Sequence, residues 1–126
     1  MKREGWLILA ALALVVLGRS ALYGFILKPG VSGQLQPVMD IALDAVRRVW
    51  QSHGLTPVIT SIQDGRHMSG SKHYEGLAFD VRLNNVNLDH EQLRLEVQLL
   101  AGNSFDIVHE NHGTADDHLH SEYDPV

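Results

Sequence analysis

The spacing of hydrophobic positions predicts two helices in this chain. Residues 37–54 begin with a proline, end with a glycine and carry apolar side chains at every third or fourth position, which is typical of an amphipathic helix. Asp89, with Gln92 three residues later, is typical of a capping box and predicts the start of a second helix. The inward stripe of that helix is predicted to consist of Leu93, Val97 and Leu100.

Four other segments have the composition or the alternation of strands. Residues 56–62 are rich in β-branched side chains, and residues 77–83 alternate between apolar and polar positions. Residues 105–110 and 118–123 predict two closing strands near the C-terminus. The fold class that follows is α+β, a mainly antiparallel sheet with flanking helices.

The first 28 residues predict an additional apolar helix that is either a signal peptide or a membrane anchor. Lys2 and Arg3 precede an apolar run from Trp6, which fits a cleavable signal if it ends near Gly18 and an anchor if it extends to Leu27. A buried core helix is the third alternative. Under the first two, the basic start stays on the cytoplasmic side and the rest of the chain crosses the membrane.

We therefore expect an exported protein that is either released or anchored to the membrane. Residues 29–35, with one proline and two glycines, predict a linker. Residues 36–126 then form a single domain, because 126 residues leave no room for a second one.

Composition restricts the chemistry of this domain. The chain has no cysteine, which excludes disulfides and thiolate metal sites, and it has eight histidines, a rich supply of imidazole ligands. From residue 31 onward, six Lys and Arg stand against fourteen Asp and Glu, a net charge of −8. A domain this acidic gains nothing from counterion release on a phosphate backbone, so nucleic acid is excluded as a partner.

Two histidines and a carboxylate are predicted to meet on neighbouring strands. His118 and His120 share one face of the last strand, because side chains alternate along a strand. Asp80 lies on the polar face of an earlier strand, and His73 comes shortly before the turn at Gly76. If these strands are adjacent, His73, Asp80 and His120 surround one cation and leave its fourth position open, as catalytic zinc requires.

Such a site also needs a carboxylate that moves a proton between the attacking water and the leaving group. Asp117, three residues before His120, is the first candidate, with Asp116 and Glu110 as alternatives. The remaining histidines are expected to be ordinary surface or core residues: His53, His67, His90, His109 and His112.

The stretch "SKHYEGLAFD", residues 71–80, resembles the Ser-x-His-x-x-Gly-x-Ala-x-Asp signature of the zinc D-Ala-D-Ala carboxypeptidase and L-alanyl-D-glutamate endopeptidase family. That family includes VanY-type enzymes and phage endolysins, and it shares its fold with the Hedgehog signalling domain. The later stretch "DDHLHSEYD" is similar to the closing His-x-His strand of the family. The resemblance covers about half of the chain, from Val58 to Tyr123.

The resemblance implies a Hedgehog-like fold and a zinc peptidase that hydrolyses the peptide stems of bacterial peptidoglycan, in a host or a phage setting. The exported protein would then be periplasmic or otherwise extracytoplasmic, either released or anchored to the bacterial inner membrane. The zinc ligands that it implies are His73, Asp80 and His120. Asp117 takes the place of the general base, His118 faces the bound substrate, and Arg66 holds a substrate carboxylate or the developing oxyanion. The alternative function is a non-catalytic, zinc-stabilised module that binds the cell wall or another partner.

Overall fold

Two helices pack against one face of a five-stranded sheet in this protein, of which the computed structural model describes residues 22–125. The strands are β1 (Ile26–Leu27), β2 (Val58–Ser61), β3 (Ala78–Arg82), β4 (Phe105–Glu110) and β5 (His118–Tyr123). The helices are α1 (Asp40–Ser52) and α2 (His90–Ala101), and short 3₁₀ turns occupy Pro37–Met39 and Lys72–Glu75. These elements confirm the predicted α+β class.

The sheet is mixed and has the strand order β1-β2-β3-β5-β4. β1 runs parallel to β2, whereas β2 with β3, β3 with β5 and β5 with β4 pair antiparallel. The pairing of β3 with β5 is the one that the predicted site requires. In its register Asp80 lies opposite His120, and Arg82 lies opposite His118.

Alternation along the central strands separates a core face from an open face. Phe79 and Val81 of β3 and Leu119 of β5 are fully buried and belong to the core that both helices cover. The helix residues in this core include Leu43, Val46, Trp50, Leu93 and Val97. Residues between the core positions of the strands, such as Asp80 and His120, therefore project from the opposite face of the sheet, which we call the open face.

The start of α2 has the predicted cap. Asp89 Oδ1 accepts a hydrogen bond from the backbone N of Gln92 at 3.0 Å, which satisfies one of the free amide groups of the first turn. The Gln92 side chain does not complete a capping box, since within residues 22–125 its Oε1 accepts no hydrogen bond from Asp89 N. Its Nε2 donates to Glu96 Oε2 at 3.0 Å. The buried residues of this helix are Leu93, Val97 and Ala101. Leu100, predicted for the same stripe, is 49% exposed, since the next position four residues beyond Val97 is Ala101.

The segment from Leu22 to residue 35 differs from its prediction. The predicted signal or anchor helix extends to residue 28, but Ile26–Leu27 form β1, and Ile26 lies opposite Val58 of β2. The predicted linker also belongs to the folded domain, because Val31 and Leu35 pack against its core. Hydrophobicity alone does not distinguish an apolar edge strand from the end of an apolar helix, which accounts for the difference.

The rest of the predicted signal or anchor, residues 1–21, lies outside the described residues. Within residues 22–125, no helix has the length and apolar character needed to cross a membrane.

Candidate active site

The motif at residues 71–80 forms a 3₁₀ turn followed by β3. Ser71 Oγ accepts a hydrogen bond from the backbone N of His73 at 3.1 Å and so begins the turn. The His73 side chain is buried, and its Nδ1 lies 2.7 Å from the backbone oxygen of Ile62. Because a carbonyl oxygen only accepts, this contact assigns the ring proton to Nδ1 and leaves Nε2 free to bind a metal.

Gly76 ends this turn in a conformation that other residues rarely adopt. Its φ is 72°, and a Cβ added to it would lie 2.6 Å from the backbone oxygen of Gln34. The same close approach includes a hydrogen bond from Gln36 N to Gly76 O at 2.9 Å. The motif glycine therefore allows the turn that carries His73 to pack against the segment before α1.

His73, Asp80 and His120 meet on the open face of the sheet, as the strand alternation predicts. Asp80 Oδ1 lies 2.8 Å from His120 Nδ1 and 3.3 Å from His73 Nε2. The potential ligand atoms of the three residues lie within 4.8 Å of one another, and all three residues are buried. We call these three residues the open-face cluster.

The electrostatics of the open-face cluster favour a positive charge beside Asp80. Burial would raise the pKa of Asp80, but its hydrogen bonds with His120 and His73 hold that pKa well below its usual range. Burial would lower the pKa of His120, but hydrogen bonds with the Asp80 and Glu122 carboxylates raise it to about 9. A site that stabilises an imidazolium beside a buried carboxylate can stabilise a metal cation in place of the proton.

The donor set of the open-face cluster fits zinc. Two imidazoles and one carboxylate are three protein ligands, the number that leaves one coordination position open for water or substrate. Both rings also have the outer contacts that orient metal-binding histidines. These are the contact of His73 Nδ1 with Ile62 and that of His120 Nε2 with Glu122 Oε1, at 2.8 Å.

A further histidine and a further carboxylate lie beside the open-face cluster. His118 Nε2 is 3.0 Å from Glu110 Oε1 and 3.6 Å from Asp80 Oδ2. Ligand atoms of Asp80, Glu110 and His118 lie within 4.8 Å of one another. Asp116 lines the same cleft, but its side chain is 77% exposed, and its nearest oxygen is 3.9 Å from His118 Nδ1. Glu110 is therefore the carboxylate nearest to the cluster among the three candidates for a general base.

Asp117, the first candidate for the base, is not brought into this site. The alternation that puts His118 on the open face turns Asp117 to the helix side of the sheet. Its Oδ1 lies 2.6 Å from His109 Nε2, and its Oδ2 accepts a hydrogen bond from Gly113 N at 2.9 Å. Burial would raise the pKa of Asp117, but these contacts keep it below the ordinary value, whereas a general base works best with a pKa near the working pH.

A cleft of about 530 Å³ lies over the open-face cluster, a size within the usual range of about 300–1,000 Å³ for ligand sites. The predicted residue Arg66 is exposed and lines this cleft together with Lys72. Among the described residues, no hydrogen bond or ion pair involves the Arg66 guanidinium. A guanidinium in this position is free to bind a carboxylate through two parallel hydrogen bonds.

Two residues of the cleft have contacts that the sequence reasoning did not predict. The His67 ring stacks on the His73 ring, with 3.9 Å between the ring centroids and 7° between the planes. His67 lies in an irregular loop, so no periodicity could assign it to the site. Glu122 shares a face of β5 with His118 and His120 because side chains alternate, but its contact with the His120 ring depends on side-chain geometry.

Comparison with known proteins does not assign this chain to a family. No family model matches it, and neither a curated protein sequence nor a solved structure does. The basis for a functional proposal is therefore the geometry of the cleft together with the motif at residues 71–80.

Proposed function

We propose that this protein is a zinc-dependent peptidase that hydrolyses the peptide stems of bacterial peptidoglycan, as a DD-carboxypeptidase or an L-alanyl-D-glutamate endopeptidase. The observation that carries the proposal is the convergence of His73, Asp80 and His120 in one cleft, with Glu110 beside them. The three cluster residues come from the two stretches that resemble the peptidase family, whereas Glu110 lies outside both stretches and is supported by geometry alone. A Hedgehog-like fold is part of the same proposal, and an α+β domain with a largely antiparallel sheet is compatible with it.

The open-face cluster would hold the zinc ion through His73, Asp80 and His120. Zinc bound there supplies Lewis acidity to a scissile carbonyl and lowers the pKa of a water molecule. Ile62 and Glu122 keep the two imidazole rings in the orientation that this ligation needs. Loss of such outer partners typically weakens metal binding by about 10- to 100-fold.

Glu110 is the proposed general base. Its Oε1 contacts His118 Nε2 at 3.0 Å, and one of its carboxylate oxygens lies within 4.8 Å of an Asp80 oxygen. The carboxylate is therefore close enough to take a proton from an attacking water in the cleft. The same carboxylic acid can then deliver that proton to the leaving amine. Asp116 is the second choice, because its side chain points largely to solvent.

His118 and Arg66 are the proposed partners of negative charge on the substrate. Burial would lower the pKa of His118, but the charge of Asp80 and the contacts with Asp116 and Glu110 raise it. A ring that is more readily protonated can stabilise the developing oxyanion. The guanidinium of Arg66, which has no partner within residues 22–125, suits a fixed carboxylate of the peptide stem.

The test is digestion of purified peptidoglycan by the full-length, zinc-loaded protein, with mass spectrometry of the released peptides. We expect new peptide termini whose masses identify the hydrolysed bond. Chelated protein and His120→Ala are the expected inactive samples. His53→Ala is the matched active control, because His53 lies outside the cleft and contacts Glu96 at 2.9 Å.

Two outcomes would decide the proposal. Cleavage that disappears with the chelator and with His120→Ala, but not with His53→Ala, supports a metallopeptidase. If folded, zinc-loaded wild type releases no peptide, the proposal is wrong. The open-face metal would then belong to a non-catalytic module, which binding of the same peptidoglycan without cleavage would demonstrate.

A further inference from the structure

A second group of metal-ligating side chains lies on the helix side of the sheet, outside the proposed active site. Its members are His90, His109, His112 and Asp117, and their potential ligand atoms lie within 4.8 Å of one another. His90 is the first residue of α2, and His109 lies on β4. The other two belong to the connection between β4 and β5. We call these four residues the helix-side cluster.

The separations between the donor atoms match one small cation. His109 Nε2 lies 2.6 Å from Asp117 Oδ1 and 3.2 Å from His112 Nδ1. His90 Nδ1 and His112 Nδ1 lie 3.5 and 3.7 Å from Asp117 Oδ2. Tetrahedral zinc, with bonds of about 2.0–2.1 Å, places its ligand atoms about 3.3 Å apart. Small side-chain adjustments would bring all four residues to that geometry.

His90 provides independent evidence for a ligand. Its Nε2 lies 2.8 Å from the backbone oxygen of Val86, which assigns the proton of the neutral ring to Nε2. Its Nδ1 is buried, forms no hydrogen bond within residues 22–125 and faces Asp117 Oδ2. The 3.5 Å between these two atoms is longer than an ordinary N–H···O bond of about 2.7–3.2 Å. A buried lone pair opposite a carboxylate oxygen is unfavourable unless a cation lies between them.

Asp117 is held rigidly in this position. It is 5% exposed, and Gly113 N donates to its Oδ2 at 2.9 Å. Its backbone oxygen accepts hydrogen bonds from Leu83 N and Asn84 N, at 2.9 and 3.1 Å, just beyond β3. A ligand whose backbone and side chain are both anchored loses little conformational freedom when it binds a metal.

One feature opposes a cation at this place. The N-terminus of α2 carries the positive end of the helix dipole, close to His90. The carboxylates of Asp89, which caps the helix, and of Asp117 supply negative charge at the same end. The dipole effect is screened at the surface and confined to the first turn, so it does not outweigh direct ligation by four residues.

We propose that the helix-side cluster is a second, structural metal site, which binds one zinc-class divalent cation through His90, His109, His112 and Asp117. Imidazole-rich sites suit Zn²⁺, and also Cu²⁺ and Ni²⁺, whereas Mg²⁺ and Ca²⁺ prefer oxygen ligands. Four protein ligands close the coordination shell, which is typical of structural rather than catalytic zinc. The bound ion would join the start of α2 to the β4–β5 connection.

The experiment measures bound zinc per chain by elemental mass spectrometry, on full-length protein without a histidine tag, after zinc loading and desalting. We expect two ions in the wild type and in the control His53→Ala. We expect one ion in His120→Ala and one in His109→Ala, with none in the double variant. His112→Ala removes a ligand of the helix-side cluster with little risk of misfolding, because the His112 side chain is 76% exposed and its loss leaves no cavity in the core.

A second measurement identifies the geometry of the site. In the His120→Ala background, Co²⁺ should give the intense visible absorption of a tetrahedral site, and the further change His112→Ala should remove or weaken that band. One zinc per wild-type chain that disappears with His120→Ala would overturn the proposal, as would two ions that persist in His109→Ala. Zinc that depends on His109 but not on His120 would support this site while contradicting the open-face metal, so the two proposals fail separately.

Discussion

The open-face cluster and the helix-side cluster use the same residue types but are assembled in different ways. The open-face residues lie on two paired strands and on the turn that leads into one of them. The helix-side residues come from the start of a helix, a strand and a connection. The first arrangement offers three ligands beneath a cleft, and the second offers four ligands that surround a position between elements.

This difference separates a site that could catalyse a reaction from one that could stabilise the fold. Three ligands leave room for a reacting group, and the cleft admits one. Four ligands exclude further partners, so metal there would contribute to folding. Variants of the two clusters and of the segments around them should therefore differ most in activity, less in metal affinity and least in stability.

The largest effect should separate Glu110 from Asp117. Glu110→Gln removes the proposed base and should lower kcat on a peptidoglycan stem peptide by about 10²- to 10⁴-fold, while zinc at the open-face cluster is retained. Asp117→Asn keeps the side-chain shape on the other side of the sheet and should lower kcat far less. Steady-state kinetics of both variants with saturating zinc provide the measurement. A greater loss of kcat in Asp117→Asn than in Glu110→Gln would show that Asp117, and not Glu110, is the general base.

Metal affinity should distinguish the clusters next. Asp80→Asn replaces a carboxylate ligand by a neutral amide and should weaken zinc binding at the open-face cluster by more than about 100-fold, since even outer partners are worth about 10- to 100-fold. The helix-side affinity should not change. Competition titration against a chromophoric chelator measures the affinity of both sites. His112→Ala should show the opposite pattern, with weaker zinc binding at the helix-side cluster and unchanged binding at the open-face cluster. Equal weakening of both sites would show that the clusters are one coupled unit.

Gly76 should matter for stability more than another glycine of similar conformation. Gly76→Ala places a Cβ 2.6 Å from Gln34 O at a φ of 72° and should lower the free energy of unfolding by about 2–4 kcal/mol. Gly70 has a φ of 81° but nothing within 4 Å of an added Cβ. Gly70→Ala should therefore lower the free energy of unfolding only by the backbone strain of a positive φ, about 1 kcal/mol. Urea unfolding of the chelated proteins would show equal losses if the close approach were unimportant.

The smallest effect concerns the loop that orients His73. Asp64 Oδ1 accepts hydrogen bonds from Ser32 N and Ile62 N, at 3.0 and 2.9 Å, next to the carbonyl that contacts the His73 ring. Burial would raise the pKa of Asp64, but the hydrogen bonds from Ile62 and Ser32 lower it. A lowered folded-state pKa means that the stabilisation is complete above the unfolded value, about 3.9, and is lost as the pH falls through the folded value.

Asp64→Asn should therefore lower the free energy of unfolding by about 1 kcal/mol at pH 7, with a smaller difference from wild type at pH 3. Urea unfolding in the presence of chelator, at both pH values, measures this difference without a contribution from metal. A difference that stays constant with pH would mean that the charge of Asp64 has no part in holding the loop.

The sequence was sufficient for features that depend on local pattern. Strand alternation brought Asp80 and His120 to one face, and the cap at Asp89 located the start of α2. Alternation, continued one residue before His118, also turns Asp117 away from the site. Its position three residues before His120 and the family resemblance had both suggested it as the base. The helix-side cluster was not predictable, because no periodicity relates His90 on a helix to His109 on a strand.

The connection between β4 and β5 has a consequence for how this protein could be altered. Glu110, the last residue of β4, belongs to the open-face group, whereas His112 and Asp117 in the connection belong to the helix-side cluster. His118, the first residue of β5, lies on the open face again. A one-residue insertion that shifted the register would exchange the faces of Asp117 and His118 and so remove a member from each site at once. An exchange of this loop would therefore alter both proposed sites, and the number of residues in it would have to be preserved for each of them.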